Sequence, residues 1–296
     1  MKPFTGTGVA LVTPFLPDFS IDFPALERLT EFVISSGVDF LVPLGTTGES
    51  VTLNQEEQDA CLSTILKVNN NRLPVLLGCG GNNTHSVLSR MHYFSDRFDF
   101  QGFLSVCPYY NKPTQSGIIN HFSMLAEGSS KPLMLYNVPG RTVVNMTAET
   151  TLFLAKQFPG KIIGIKEASG NLQQGMSILK DCPKEFIVLS GDDDLVLPQI
   201  ACGYQGVISV AANVIPATFS TMVRECMLEH FESSRTTAIE LLPFIQHLFA
   251  EGNPAGVKAG LAHIQICDST VRRPLVEASK GLSETLSAFL DRFKEL

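Results

Sequence analysis

Eight short apolar runs mark the first three quarters of the chain: Val9–Val12, Phe40–Leu44, Val75–Leu77, Phe103–Val106, Leu133–Leu135, Ile162–Ile165, Ile187–Leu189 and Val207–Val210. Each is continuous rather than alternating between apolar and polar residues, the pattern of parallel strands covered on both faces. A polar turn containing Gly, Thr or Pro follows each run, and then a longer stretch with helical spacing. After the second run, for instance, Asn54 offers a helix N-cap, Glu56 and Glu57 fall in the first turn, and Cys61, Leu62, Ile65 and Leu66 form an apolar stripe. Eight strand-then-helix units predict an α/β fold, a (β/α)8 TIM barrel. The competing arrangement is an open doubly wound sheet, but the units are evenly spaced and no Gly-x-Gly-x-x-Gly follows the first run. Past about residue 229 the pattern changes to three helical segments, near Glu232–Phe249, Pro254–Ile266 and Ser283–Phe293. The expected organisation is therefore a catalytic barrel over 1–229 and a helical C-terminal extension over 230–296. No Ser/Gly-rich linker separates them, so a rigid attachment is expected.

Composition narrows the class of function. The 296 residues carry 22 Lys and Arg against 29 Asp and Glu, a net charge of −7, which argues against a nucleic-acid binder. At 44% hydrophobic and 17% charged, the chain can bury a sizeable core. Its seven cysteines are scattered, odd in number and without a Cys-x-x-Cys pair, so neither a disulfide framework nor a zinc site is expected. No apolar run approaches the roughly 20 residues that cross a bilayer. With no basic leader ahead of the first apolar run, the expectation is a soluble cytoplasmic protein with no membrane partner, in which the sequons at Asn82 and Asn145 go unused.

Barrel enzymes carry their active groups at the C-terminal ends of the strands. The residues closing the runs are Thr13, Gly45-Thr46-Thr47-Gly48, Tyr109-Tyr110, Tyr136-Asn137, Lys166-Glu167, Gly191-Asp192 and Asn213. Lys166 is the unusual one, because it ends a run that should be fully buried. Strand alternation puts Ile162, Gly164 and Lys166 on one face, so with Ile163 and Ile165 toward the helices the lysine points into the barrel mouth above a glycine that leaves it room. Desolvation there disfavours the ammonium and turns the amine into a nucleophile for carbonyl carbon. The other reading is a lysine salt-bridged to a strand-end carboxylate such as Asp192. Imine chemistry needs groups that both give and take protons, which Tyr136 can do and which Thr46 and Tyr110 could extend into a relay. Taken singly, a strand-end tyrosine can equally be a rim residue and Gly-Thr-Thr-Gly a tight loop. That loop also offers backbone N–H groups and two hydroxyls for a small carboxylate, and lacks the following Lys-Ser/Thr of a P-loop. Arg141, in the loop after Tyr136-Asn137, is either a bidentate carboxylate clamp or a solvated surface charge. The six histidines show no metal-ligand spacing and read as helix-face residues, and Asp192-Asp193-Asp194 is expected to cap the helix that follows.

Five ordered motifs carry a resemblance: Gly45-Thr46-Thr47-Gly48-Glu49-Ser50, Pro108-Tyr109-Tyr110-Asn111-Lys112-Pro113, Tyr136-Asn137-Val138-Pro139-Gly140-Arg141-Thr142, Gly164-Ile165-Lys166-Glu167-Ala168-Ser169-Gly170 and Gly206-Val207-Ile208-Ser209-Val210. The chain resembles the dihydrodipicolinate synthases of the pyruvate-dependent class I aldolase superfamily, to which N-acetylneuraminate lyase also belongs. The likeness spans the eight predicted strands in order and weakens in the last third, where Asn253-Pro254 and Val257-Lys258 still match but Gly256 stands where a second proline is common. It implies a Schiff-base lyase of lysine and diaminopimelate biosynthesis that condenses pyruvate with L-aspartate 4-semialdehyde. Lys166 would form the imine with pyruvate, Thr47 would hold the pyruvate carboxylate, and Tyr136, Thr46 and Tyr110 would relay protons, with Tyr110 entering from a neighbouring subunit of a dimer paired into a tetramer. Arg141 would bind the semialdehyde carboxylate, and Gly191 with the backbone at Ile208 would line the pocket; no metal or organic cofactor is implied. A sugar-acid aldolase of the same superfamily would keep Lys166 and Tyr136, and Arg141 is what argues against it. A non-catalytic keto-acid sensor would have no physical reason to keep all four of Lys166, Tyr136, Thr46 and Tyr110. Members inhibited by lysine bind it through residues matching Ser50, Asn82 and Tyr109, kept here, and through two His and a Glu that are Gln55, Gln58 and Ser86 in this chain. Weak or absent lysine feedback is expected.

Overall fold

The computed structural model describes residues 3–293. It contains eight strands: β1 (Gly6–Ala10), β2 (Phe40–Val42), β3 (Leu76–Gly78), β4 (Gly102–Val106), β5 (Leu133–Asn137), β6 (Ile162–Glu167), β7 (Ile187–Ser190) and β8 (Gly206–Ser209). Helices alternate with them, which is the (β/α)8 architecture. All eight predicted strands are present. The first starts three residues upstream of its apolar run, at Gly6, and Leu11, whose N–H still bonds to the Val42 carbonyl, and Val12 are buried just past its end. Strand residues are almost uniformly buried, as a sheet covered on both faces requires.

Contacts divide the chain into two compact units, one built from Pro74–Ile208 with the residues up to Thr5, the other from Gly6–Leu73 with the chain from Ser209 onward. In the first unit, β3 to β8 pair in sequence order, in parallel. Register places Tyr136 of β5 beside Lys166 of β6, and Lys166 beside Leu189 of β7. Gly164 answers a close approach: a Cβ there would lie 2.4 Å from the Ile187 carbonyl oxygen. The glycine thus admits the neighbouring strand, and does not make the room for Lys166 that its position in the alternation suggests. Four helices of this unit start on side-chain caps, with Asn83, Thr114, Thr147 and Asn171 each accepting from a backbone N–H three residues on.

In the second unit, β1 and β2 are parallel, with Gly8 opposite Phe40. Asp22 caps the helix Phe23–Ser35, whose buried stripe is Ala25, Leu26, Leu29, Val33 and Ile34. The predicted Asn54 cap forms a full capping box, because Glu57 also accepts from the Asn54 N–H. After the helix Pro216–Met227 come the three C-terminal helices, Phe231–Phe249, Ala255–His263 and Lys280–Arg292. They pack on one another, with the Phe244 and Phe289 rings stacked at 4.9 Å. Among the described residues, no helix is long and apolar enough to cross a membrane.

Candidate active site

Lys166 closes β6 with only 6% of its surface exposed. Its ammonium nitrogen lies 4.4 Å from the centre of the Tyr136 ring, placed there by the β5–β6 register. Among the described residues, no carboxylate comes within ion-pair distance of it and no hydrogen-bond partner is found. Its side chain instead finds room at Gly191, where a Cβ would stand 3.0 Å from the lysine Cε and 2.3 Å from the Ala168 Cβ. Glu167 points the other way, as alternation demands, and is spent on structure: it accepts from Asn137, Gln174 and the Ser169 N–H at 2.8–3.1 Å. Asn137 also donates to Asn145 and accepts from the Met146 N–H, which fixes the loop that leads away from β5.

Asp192, the carboxylate that might have paired with Lys166, is largely desolvated. Burial pushes its carboxyl up to about 6, against the pull of the Lys166 charge and with Asp194, Asp193 and Glu167 adding to the rise. Its Oδ2 is buried without a partner. The acidic run does not cap the following helix as expected: Asp192 precedes the turn Asp193–Leu195 without a side-chain cap bond, and Leu195 holds the cap position of the helix Val196–Ala201. Among the described residues, no three His, Cys, Asp or Glu side chains gather as a metal site.

The remaining candidates of this unit differ in setting. Ile208 is buried in β8. Arg141 lies on a one-turn helix, Pro139–Thr142, with its side chain exposed. Tyr110 is 90% exposed and sits at a φ of +73°, a conformation a tyrosine rarely takes, so the loop thrusts an aromatic ring into solvent. Asn82 and Asn111 brace this loop by bonding to the carbonyls of Tyr109 and Asn82 respectively.

In the second unit, the Gly45–Gly48 turn follows β2. The Gly48 N–H bonds to the Gly45 carbonyl and the Glu49 N–H to that of Thr46. Thr46 is exposed, whereas Thr47 is buried and its hydroxyl oxygen accepts from Asn253 Nδ2 at 2.9 Å. Two other strand-end candidates are spent on backbone. Thr13 donates to the Gly48 carbonyl at 2.7 Å, and Asn213 bridges the Val12 N–H and the Ala10 carbonyl.

Sequence reasoning passed over one group here. Glu49 and Lys258 form an ion pair at 2.6 Å with both side chains fully enclosed. Lys258 also donates to the Thr270 carbonyl, and Glu49 accepts from the Arg272 N–H. Phe15 stands between the cations, 4.1 Å from Lys258 and 4.5 Å from Arg272, and Arg272 forks onto Glu57. The signal available was a lone lysine inside Ala255–Leu261, a segment otherwise without charge or large polar groups.

A model of the dihydrodipicolinate synthetase family matches residues 3–293. The chain belongs to that family. It is 48% identical to the 4-hydroxy-tetrahydrodipicolinate synthase of Flavobacterium psychrophilum over 98% of both chains. The crystal structure of dihydrodipicolinate synthase from Thermotoga maritima matches with a TM-score of 0.96 at 36% identity, covering 99% of this chain and all of that one. The synthase from Cyanidioschyzon merolae with lysine bound matches with a TM-score of 0.95 at 34% identity over the full length of both. Synthesis of 4-hydroxy-tetrahydrodipicolinate, a lyase reaction of the dihydrodipicolinate synthetase family, is the function of this chain, and the fold expected from the sequence is the fold of these neighbours.

Proposed function

We propose that the chain condenses pyruvate with L-aspartate 4-semialdehyde through an imine on Lys166. The observation that carries this reading is a buried lysine at a strand end with a tyrosine ring at 4.4 Å and no carboxylate paired to it among the described residues. The free amine attacks the pyruvate ketone, and loss of water leaves the imine, whose C=N draws electrons so that a methyl proton can be removed to give the enamine. Enamine carbon then attacks the aldehyde. The substrate's own amine adds to the imine carbon and displaces Lys166, releasing the cyclic product; the one water lost in imine formation balances the reaction.

Tyr136, whose ring faces Lys166, serves as proton donor and acceptor, with Thr46 and Tyr110 extending the relay. Thr47 holds the pyruvate carboxylate and Arg141 the semialdehyde carboxylate, while Gly191 and the Ile208 backbone line the pocket. Exposure of Tyr110 supports a second copy of the chain as its destination, in a dimer that pairs again into a tetramer. The catalytic barrel is assigned to 1–229 and the helical extension to 230–296, and the enzyme to the cytoplasm.

Borohydride reduction in the presence of pyruvate tests the lysine. The wild type should gain a stable adduct on Lys166, and Lys166→Ala and Lys166→Arg should not; an adduct persisting at another residue would refute the assignment. Pyruvate consumption with aspartate semialdehyde, N-acetylmannosamine or glyceraldehyde in parallel tests the aldehyde. Turnover with a sugar aldehyde alone would remove the role given to Arg141, since a site built to pair a guanidinium with a carboxylate disfavours an uncharged substrate.

A further inference from the structure

The Asn253–Thr47 hydrogen bond ties the segment leading into the helix Ala255–His263 to the turn that carries Thr46 and Thr47. Both ends of this contact are fastened a few residues further on, because Glu49 and Lys258 form the buried ion pair. The Asn253 amide is therefore held against Thr47 by neighbours that cannot easily move. Its other polar atom, Oδ1, is buried and has no partner among the described residues, so Thr47 is what sets the amide's orientation.

A threonine hydroxyl has one proton to give and two lone pairs to receive with. Since Asn253 Nδ2 occupies a lone pair of the Thr47 oxygen, the hydroxyl proton is left for another acceptor, and an anionic oxygen gains most from it. We infer that Asn253 is a positioning residue for pyruvate: it fixes the Thr47 hydroxyl as a donor to the substrate carboxylate without touching the substrate. This rests on the reading of Thr47 as the carboxylate holder.

Three single variants and one double variant test it, with the pyruvate concentration for half-maximal borohydride-trapped adduct as the primary readout. The KM for each substrate and the Tm accompany it. Asn253→Ala should raise half-saturating pyruvate about tenfold, the worth of one hydrogen bond to a charged group. Asn253→Asp, nearly the same shape, can only accept; it captures the Thr47 proton, adds a negative charge, and should raise the value further, to about a hundredfold. The KM for the semialdehyde and the Tm should hardly move. Thr47→Ala should also raise half-saturating pyruvate, and adding Asn253→Ala to it should cost nothing more. If both Asn253 variants bind pyruvate like the wild type while Thr47→Ala does not, the inference is overturned. An Asn253→Asp protein that behaves as wild type would mean that Thr47 donates to residue 253, which also overturns it, as would losses in Tm and semialdehyde KM that match the loss for pyruvate. Should Asn253→Ala fail to fold, Asn253→Asp carries the test. Wild-type pyruvate binding by Thr47→Ala would instead show that the role given to Thr47 is itself wrong.

Discussion

Removing one partner of the Lys258–Glu49 pair should unfold the protein at a markedly lower temperature. At 2.6 Å the attraction between the two charges is about 6 kcal/mol for an effective dielectric of about 20. That figure is gross, because neither side chain retains contact with water and both were desolvated to meet. Burial pulls the Lys258 ammonium down from its usual range, with the Glu49 charge and hydrogen bond acting against that, so the site tolerates the cation only through its partner. In Lys258→Met the stem still packs on Phe15, but among the described residues the Glu49 carboxylate keeps only the Arg272 N–H as a direct donor. In Glu49→Gln an ammonium is left against an aromatic ring, a carbonyl and a neutral amide. Leaving a buried charge uncompensated costs about 3–5 kcal/mol. At about 2 °C per kcal/mol for a chain of this size, scanning fluorimetry at fixed protein concentration should show a fall in Tm of roughly 6–10 °C for each single variant. Glu49→Gln with Lys258→Met removes both charges and should lose at least about 2 kcal/mol less than the sum of the single losses. Single variants within about 2 °C of wild type, or a double variant that is simply additive, would refute this account of the pair.

Three further outcomes follow from particular contacts. Asp192→Asn should stabilise the protein at pH 7: the native carboxyl titrates near 6 against 3.8 in the unfolded chain, so the wild type loses stability as pH rises from about 4 through 6, by about 1–3 kcal/mol, and the variant does not. Urea titrations at pH 4 and pH 7 that give the same difference between the two proteins would contradict it. Gly164→Ala should reduce soluble yield and lower the Tm by several degrees, since the added carbon meets the Ile187 carbonyl at 2.4 Å and must part β6 from β7; an unchanged Tm would sink that reasoning. L-lysine should leave steady-state turnover unaffected at submillimolar and low millimolar concentrations, because the Gln58 amide is already committed to the carbonyls of Ser50 and Leu53 and Gln55 to Asp59; strong inhibition in that range would contradict the expectation.

The fold was legible because its signal is repetitive. Eight continuous apolar runs each followed by a stretch of helical spacing leave few arrangements, and the cap read at Asn54 stands where a helix begins. What sequence periodicity could not give was the identity of the residue next door on another strand. Gly164, two residues before Lys166, is the glycine that alternation points to, yet it admits the β7 backbone, and Gly191, after the next strand, admits the lysine side chain. Asp192 likewise read as a helix cap from its place before an apolar stretch. Burial beside Lys166 and its acidic neighbours gives it a different environment, and that depends on packing of β6 against β7 rather than on local order.

The contrast between the two buried lysines shows how pairing separates chemistry from structure. Lys166 and Lys258 are both buried, and the sequence offered two readings for such a residue, a nucleophile or one half of a salt bridge. The salt bridge is realised at Lys258, and the nucleophile is the reading proposed for Lys166. Lys258 has a carboxylate at 2.6 Å and a carbonyl at 2.8 Å, so its nitrogen is held by two acceptors and cannot approach a carbonyl carbon. Lys166 has an aromatic face at 4.4 Å and, among the described residues, no acceptor at all, which leaves its lone pair free once the proton is gone. Asp192 would be the obvious partner, but its unpartnered Oδ2 indicates that the site keeps carboxylate and amine apart. A closed ion pair there would resemble Glu49–Lys258 and would have to break before each attack on pyruvate, at a cost comparable to the 3–5 kcal/mol expected for breaking that pair. In the proposed mechanism, keeping them apart spares the reaction that step.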